Sequence, residues 1–311
     1  MQPMTPPPEQ VSVSLPVGQA IERVKRVLFQ PFDLGKWITI GFCAWLAYLG
    51  RGGFHGGYNF SSPHSGGAAA AREWVEQTRH YVAQNLIWIV PLAAILVLVG
   101  VAVWVLLLWL SSRGRFMFLH CVALDKAEVA VPWRKFAREA NGLFWFRLGL
   151  GLLGLAGTLP LVAVMALVGW RVLDRGELSV GGIMELAGIG LMLALVAVVF
   201  WILGKLTTDF VVPIMFRRGA MCLPSWGVLL GLLAANPGRF LVYFIFQFIL
   251  ALAIFVLVLT AVLLTCCILG CVLMIPFLGT VLLLPILVFK RSYSLYYLAQ
   301  YGEQFDVFRL Q

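Results

Sequence analysis

The sequence predicts an all-α fold: an integral membrane helical bundle of six transmembrane helices, arranged as three hairpin repeats with amphipathic helices at the membrane interface. Three observations predict this class. Of 311 residues, 61% are hydrophobic and only 12% are charged, whereas soluble proteins have about 45–50% and about 25%. The apolar residues form runs of roughly 20, the length that crosses a bilayer. Lys and Arg are concentrated between alternate runs, as on the cytoplasmic side of membrane proteins.

Six apolar runs are the predicted spans. Five clear runs cover residues 86–110, 143–170, 186–204, 240–265 and 272–289. The sixth, 37–50, has only 14 residues and reaches about 21 Å as a helix. It must therefore begin near Phe32, thin the bilayer, or enter without crossing it.

The charges predict the orientation. An even number of spans puts both termini on one side, and 18 of the 23 Lys and Arg residues lie in the segments on that side. These segments are 1–36, 111–147, 205–239 and 290–311. By the positive-inside rule this side is cytoplasmic. The first 36 residues lack the continuous apolar stretch of a signal peptide, so we expect an inner (plasma) membrane protein with cytoplasmic N- and C-termini. Topology and anionic headgroups explain the net charge of +9, and no nucleic-acid partner is predicted.

A weak pattern recurs three times within a single predicted membrane domain, residues 1–311. The copies cover residues 15–122, 131–218 and 223–302. Each copy begins with an aliphatic residue and a proline, continues as a short helix, and stops at a breaker beside an aromatic residue. The three breakers lie at 30–37, 140–145 and 235–240.

Two apolar spans and a polar exit complete each copy. The three exits are 113–120, 207–218 and 290–302. The alternative interpretation is that interfacial helices and aromatic borders recur in any polytopic protein. Repeats of this kind share one membrane orientation, which favours a rough threefold axis along the membrane normal.

The short helices of the first two copies are amphipathic at helical spacing. Their polar faces are predicted to contact lipid headgroups through six basic residues: Arg23, Lys25, Arg26, Arg134, Lys135 and Arg138. The third short helix, around Trp226, is more apolar and is expected to be more deeply buried.

The stretch FRLGLGLLGLAG contains glycines at dinucleotide-binding spacing. Gly149, Gly151 and Gly154 fit G-x-G-x-x-G, but that motif functions only between a strand and a helix, with an acidic residue about 20 positions further on. Here the flanks are apolar for a whole span, so no cofactor is predicted. Together with Gly157, these glycines form a strip of small residues that lets helices pack closely in lipid.

Histidines and cysteines on the predicted outer side leave alternatives open. His55, His64 and His80 lie in or near the Gly-rich outer loop 51–72. They are either weak metal candidates or surface side chains.

Cys266, Cys267 and Cys271 lie where the fifth span turns into the sixth. Buried unpaired thiols, a disulfide between Cys267 and Cys271, and a soft-metal site are the alternatives. The other cysteines, Cys43, Cys121 and Cys222, lie far apart in the chain and suggest no disulfide framework.

Ionisable residues inside the apolar runs are few. Lys205 and Asp209 are four residues apart, which suits an ion pair along a helix. No charge lies at the middle of a span, which disfavours a proton-coupled pump or a carboxylate-lined pore. The sequence also lacks a nucleophile beside a base, paired carboxylates, HExxH and GxSxG. We therefore predict no enzyme, with a site assembled from different spans as the alternative.

Four stretches carry a family resemblance. They are PFDLGKWITIGFCAWLAYLG at 31–50, SSRGRFMFLH at 111–120, DFVVPIMF at 209–216, and the segment from TCCILG to LAQYG at 265–302. They resemble an uncharacterised family of bacterial polytopic membrane proteins, which is broadly similar to the membrane domain joined to some glycerophosphodiester phosphodiesterases. The resemblance implies the fold and a bacterial inner-membrane location. It transfers no reaction, because the soluble phosphodiesterase domain is missing.

Two functions follow as hypotheses. The first is a non-enzymatic scaffold or accessory subunit whose interfacial helices engage anionic lipids. A membrane protein partner or a homo-oligomer is compatible with it. The second is a transporter or flippase-like conduit for a lipid or small amphiphile, which requires a polar crevice between the spans.

Overall fold

The computed structural model describes residues 11–49, 84–175, 180–265 and 268–310. Within them the chain forms helices and no strand, so the all-α prediction is confirmed. The helices are α1 (Leu15–Val24), α2 (Leu34–Tyr48), α3 (Leu86–Leu124), α4 (Ala130–Lys135), α5 (Ala137–Arg175), α6 (Val180–Leu206), α7 (Val212–Arg218), α8 (Cys222–Ala235), α9 (Pro237–Leu264), α10 (Ile268–Met274), α11 (Pro276–Leu282) and α12 (Leu284–Ala299). π-Helical turns follow α1 at Lys25–Phe29 and α6 at Thr207–Val211, and short 3₁₀ turns lie at Glu303–Phe305 and Phe308–Leu310.

Proline and polar caps explain several helix starts. Pro16, Pro237, Pro276 and Pro285 each lie in the first turn of their helix, where the missing N–H costs no hydrogen bond. Asp33 caps α2 by accepting a hydrogen bond from the Gly35 N–H at 2.8 Å. Gly219 ends α7 in the left-handed conformation, at φ 60°, which suits a glycine.

Four helices are long and apolar enough to cross a membrane. They are α3, α5, α9 and the continuous stretch from α6 to α7. Almost all of their apolar windows face outward in the described chain, as expected of surfaces that contact lipid rather than a protein core. A fifth span is present if α11 and α12 count as one.

The predicted span 272–289 is not one straight helix. It is divided into the end of α10, then α11, then α12, and the axes of α11 and α12 are bent by 63°. Pro276 and Pro285 lie at the two breaks, and proline cannot donate the hydrogen bond that would continue the preceding helix. The predicted span 37–50 corresponds to α2, a helix of 15 residues.

The predicted breaker at 140–145 is wrong. Asn141 and Gly142 lie inside α5, which runs without a break for 39 residues. Glycine in a helix interior costs only about 1 kcal/mol, and the buried side chains of Leu143 and Phe144 hold this turn in the core. The short helix of the second copy instead ends at Lys135.

The chain divides into two compact units. One consists of Phe54–Leu107 and Arg147–Gly204. Its described part contains the first portion of α3 and most of α5 and α6. Inside this unit, a Cβ atom added at Gly151 would lie 3.3 Å from the Trp104 ring, and one at Gly154 would lie 3.5 Å from the Phe200 ring. These two glycines therefore lie against aromatic side chains.

The other unit consists of Met1–Gly53, Leu108–Phe146 and Lys205–Gln311, and contains nearly all of the buried hydrophobic residues among those the structure describes. Here α1 packs mainly against α12, and α2 against α11. Tyr243, Tyr293 and Tyr297 are fully buried in its core.

The two described ends of the chain meet in this second unit. The Ser12 N–H donates to Gln300 Oε1 at 2.8 Å, and Gln300 Nε2 donates to the Ser12 carbonyl at 3.0 Å. The Tyr293 hydroxyl donates to the Val13 carbonyl at 3.0 Å. The segment before α1 is thus fastened to α12 and the residue that follows it.

Candidate functional site

Two arginines from distant helices converge on one threonine. Arg115 in α3 donates from Nη1 to Thr208 Oγ1 at 2.9 Å. Arg291 in α12 donates from Nη1 to the Thr208 carbonyl at 2.6 Å. Both arginine side chains are buried, at 7% and 6% exposed. We call this group of three residues the Thr208 junction.

A π-helical turn shapes the backbone at the Thr208 junction. The Val212 N–H donates to the Thr207 carbonyl five residues back, and the next residue, Pro213, has no N–H to donate. Single π-turns inside α-helices are frequent at functional sites. This turn carries Thr208 and Asp209, so it sets the directions of both polar side chains.

Asp209 begins a second line of polar contacts. Its Oδ2 accepts from Lys205 Nζ at 2.8 Å, which confirms the predicted ion pair. The same oxygen accepts from the Tyr243 hydroxyl at 3.3 Å, and Gln247 Nε2 donates to the Tyr243 oxygen at 3.1 Å. Tyr243 and Gln247 are buried in α9. The polar line therefore extends from the end of α6 into a helix long enough to cross a membrane.

Tyr297 and Tyr301 form a separate pair of polar contacts, and the Tyr297 ring packs against Tyr243. The Tyr297 hydroxyl lies 3.0 Å from the Arg239 carbonyl, to which it donates, and 3.0 Å from the Tyr301 hydroxyl. Burial raises the pKa of Tyr301, so its hydroxyl stays protonated at neutral pH and remains a donor.

Five of the six predicted headgroup-contacting residues are exposed. Lys25 and Arg26 follow α1 in the π-helical turn, Arg134 and Lys135 end α4, and Arg138 lies in the first turn of α5. Lys25 pairs with Glu22 at 3.0 Å. Such exposed cations are free to exchange water for phosphate oxygens.

Arg23 does not lie on the exposed face that the sequence predicts. Its side chain is only 3% exposed, and it donates to the Val122 carbonyl at 3.0 Å and the Ala123 carbonyl at 2.6 Å. These carbonyls belong to the last turn of α3, whose C=O groups have no partner within the helix. Burial lowers the pKa of Arg23, although guanidinium remains charged at physiological pH. Arg23 is thus an internal cap rather than a lipid contact.

Arg113 stacks on two tryptophan rings next to the basic residues of α4. Its guanidinium carbon lies 4.7 Å from the Trp109 ring centroid and 4.8 Å from that of Trp133. Trp133 immediately precedes Arg134. Tryptophan is enriched at membrane–water interfaces, and stacking on its face stabilises a cation. The two tryptophans and Arg113 therefore lie beside the exposed charges of α4, as residues at a membrane–water interface would.

The remaining predicted sites are placed as follows. Gly151 and Gly154 face aromatic rings, whereas a Cβ atom at Gly149 or Gly157 would meet no described atom within 4 Å. His55, His64, His80 and Cys267 lie outside the described residues, and Cys271 is exposed and unpaired. Among the described side chains, no three His, Cys, Asp or Glu residues could hold a metal ion.

Sequence reasoning missed the Thr208 junction and the Tyr243–Gln247 contact. A signal was present, because Arg115, Thr208 and Arg291 fall one each in the three predicted exit segments. A Ser or Thr also lies within or directly before each exit, near a charged residue, as in SSRGR, TTD and KRS. Polar residues that recur at the same place in three copies of a pattern could have been assigned to a common site.

A family model matches this chain from residue 15 to residue 284, which is most of its length. The model is described as a family of unknown function, DUF7544. The chain belongs to this family. The DUF7544 match begins at the first residue of α1 and ends at the first residue of α12. It therefore includes Arg115 and Thr208 of the junction and stops before Arg291. Comparisons with curated proteins and with solved structures give no match.

Proposed function

We propose that this DUF7544 protein is a non-catalytic, multi-span inner-membrane protein that engages anionic lipids as a scaffold or accessory subunit. The observation that carries the proposal is the combination of long apolar helices with outward-facing surfaces and short helices that expose Arg26, Arg134, Lys135 and Arg138. Each Lys or Arg near an anionic membrane surface contributes about 1 kcal/mol of binding free energy. Four such residues together give a strong preference for anionic headgroups.

Six spans with both termini in the cytoplasm form part of the proposal. Four are the long helices already described, and α2 and the bent α11–α12 pair supply the other two. The hydrogen bonds between Ser12 and Gln300 support an even number of spans, because they hold the two described ends together. With 18 of 23 basic residues in the segments of that side, the positive-inside rule makes it cytoplasmic.

We also propose that the spans form three hairpin repeats. The Thr208 junction supports this arrangement, since the three predicted exits each contribute one residue to it. Convergence of equivalent segments is what a rough threefold axis would produce.

The resemblance to the membrane domain joined to some glycerophosphodiester phosphodiesterases agrees with an accessory role. That domain accompanies a soluble enzyme that acts on a lipid-derived phosphodiester. A chain that resembles this membrane domain is suited to bind lipid or a partner. The partner is proposed to be a membrane protein or a second copy of this chain.

Native mass spectrometry tests the proposal. The protein is extracted gently from membranes of mixed phosphatidylglycerol and phosphatidylcholine. We expect the protein to retain phosphatidylglycerol preferentially. In the variant R26Q/R134Q/K135Q/R138Q, we expect retention of phosphatidylglycerol to fall more than tenfold, because four attractions of about 1 kcal/mol each are removed.

A matched pair of single variants controls for the loss of charge itself. Arg134→Gln and Arg171→Gln each remove one exposed arginine, but Arg171 lies in the outer segments where acidic residues balance the basic ones. The first variant should weaken lipid retention and the second should leave it nearly unchanged. Equal retention of both lipids by the unaltered protein would contradict the proposal.

A conduit for a lipid or small amphiphile is the second candidate function. The observation that favours it is the polar line from Lys205 and Asp209 to Tyr243 and Gln247, which reaches into α9. Polar side chains in a membrane-crossing helix often mark a pathway. Rapid exchange of labelled lipid between leaflets of reconstituted vesicles, lost in Gln247→Leu, would favour this function over the scaffold.

A further inference from the structure

Two cysteines that are distant in the sequence are neighbours in the structure. Cys43 in α2 and Cys121 in α3 are both fully buried, and their Sγ atoms lie 3.8 Å apart. The sequence suggested no disulfide framework for these residues, because nothing in it indicates that α2 packs against the end of α3. Both thiols are free in the structure, in line with that expectation, but the tertiary fold places them side by side.

Contacts on both sides of the sulfur pair hold the two helices in antiparallel register. Toward one end, Lys36 Nζ lies 2.9 Å from Asp125 Oδ1. Toward the other, Ser111 Oγ donates to the Ala47 carbonyl at 3.0 Å. Cys43 and Cys121 lie between these contacts in both helices, so the two sulfurs face each other in a fixed part of the interface.

We propose that Cys43 and Cys121 form a disulfide site that reacts with a small peroxide. Closing the pair needs a decrease in the sulfur–sulfur distance from 3.8 Å to about 2.05 Å. The proposal requires rotation of the two side chains to supply this movement, since the two helices are already in contact. The proposal is independent of lipid engagement.

The reaction balances in two steps. One thiol loses its proton, the thiolate attacks a peroxide oxygen and the O–O bond breaks, which gives a sulfenic acid and a hydroxide that takes up the proton as water. The sulfur of the second cysteine then attacks the sulfenic sulfur, the S–S bond forms, and a second water leaves with the thiol proton. Two thiols are oxidised and one hydrogen peroxide is reduced to two waters.

The disulfide would lock α2 onto the end of α3. α2 and the part of α3 from Leu108 onward belong to the same compact unit, and α2 also packs against α11. Burial excludes bulky oxidants and alkylating reagents from the two thiols. A small neutral peroxide is therefore the class of reagent that reaches them in the folded protein, slowly compared with an exposed thiol.

Peptide mapping of the full-length protein tests the site. The protein is treated with hydrogen peroxide in vesicles, and the remaining peroxide is quenched. The protein is then unfolded in the presence of an alkylating reagent and digested with trypsin. Cleavage after Lys36, Arg51, Arg115 and Lys126 releases Cys43 in peptide 37–51 and Cys121 in peptide 116–126. We expect these two peptides to appear joined, with the mass of two hydrogens missing, and to separate on reduction.

Cys222 provides an internal control. It is also buried and is released in peptide 219–239. Because no described cysteine lies against it, this peptide should stay alkylated and unlinked. Recovery of Cys43 and Cys121 as fully alkylated thiols after peroxide, or linkage of either one to a different cysteine, would overturn the proposal.

The thermal unfolding midpoint gives a second readout. Peroxide treatment should raise the thermal unfolding midpoint of the wild-type protein, and a reductant should reverse the increase. Cys121→Ser should abolish both the linked peptide and the reversible increase. An increase that persists in Cys121→Ser would assign the effect to other cysteines and count against this pair.

Discussion

Arg23 illustrates how one residue can reverse its expected role. On a helical wheel it belongs with Lys25 and Arg26, yet its guanidinium lies inside the protein and donates to the Val122 and Ala123 carbonyls. It also stacks on the Phe308 ring, with the guanidinium carbon 5.0 Å from the ring centroid. A long flexible side chain at the border of a polar face can point either way. The hydrogen bonds to the two carbonyls at the end of α3 hold the side chain in the inward direction.

Replacement of Arg23 by alanine should therefore destabilise the protein rather than weaken lipid binding. The two α3 carbonyls lose charged donors in a buried place, and we expect a loss of about 2–4 kcal/mol in the free energy of unfolding. Thermal unfolding in detergent measures it. Arg26→Ala, at an exposed position nearby, should change stability by less than about 0.5 kcal/mol. Equal effects of the two substitutions would show that Arg23 is not a buried cap.

The Thr208 junction could not be assigned from individual residues. Arg115 and Arg291 each look like an ordinary positive-inside arginine near the end of an apolar run. Only the pairing of α3, the π-helical turn and α12 brings their guanidinium groups to one threonine. Pairings across such sequence distances depend on tertiary packing, and helical periodicity contains no information about them. The Lys205–Asp209 pair was predictable because both residues lie on the same helix face.

At the level of elements, α2 and α3 approach each other unusually closely. A Cβ atom added to Gly114 would lie 2.5 Å from both the Ala47 nitrogen and the Leu46 carbonyl carbon. These are backbone atoms, which cannot rotate aside as the end of a side chain could. The missing Cβ is therefore what permits the contact that also aligns Cys43 with Cys121.

Gly114→Ala should separate these two helices. We expect a loss of about 1–3 kcal/mol in the free energy of unfolding, measured by thermal or denaturant unfolding. The substitution should also abolish the peroxide-dependent link between Cys43 and Cys121.

Gly100→Ala is the matched control, because it lies in the same helix and its added Cβ meets no described atom within 4 Å. Alanine there should be neutral or stabilise the helix by up to about 1 kcal/mol. Comparable losses in both variants would mean that helix propensity, not the close approach, explains the effect of Gly114→Ala.

Proline interrupts the helix at some places in the predicted spans and not at others. Pro91 and Pro160 lie inside α3 and α5 without ending them, whereas Pro276 and Pro285 coincide with the bends around α11. Within a long apolar helix, neighbouring groups can accommodate one missing N–H. The short stretch at 268–289 has two prolines within ten residues, so its helices start anew instead.

For the whole molecule, the decisive topological feature is that both described ends lie together. Ser12, Val13, Tyr293 and Gln300 form the contacts between them. Reporter tags added before Met1 and after Gln311 should both be on the cytoplasmic side. Protease protection in intact and opened spheroplasts measures this. Tags found on opposite sides would require an odd number of spans and would contradict the six-span proposal.

The sequence alone was sufficient for the helical class, the membrane character and the approximate positions of four long helices. These properties depend on composition and on the length of local apolar runs, which are sums over neighbouring residues. The exposure of Lys25, Arg26, Arg134, Lys135 and Arg138 also followed from local amphipathic spacing.

Only the tertiary structure decided which polar residues meet. The inward turn of Arg23, the convergence of Arg115 and Arg291 on Thr208, and the contact of Cys43 with Cys121 all join segments that are far apart in the chain. Each depends on a specific helix–helix approach, such as that at Gly114, and on buried backbone groups that need partners. The local sequence pattern predicts neither the close approach of two helices nor the partners of buried backbone groups, because both arise only when helices pack together.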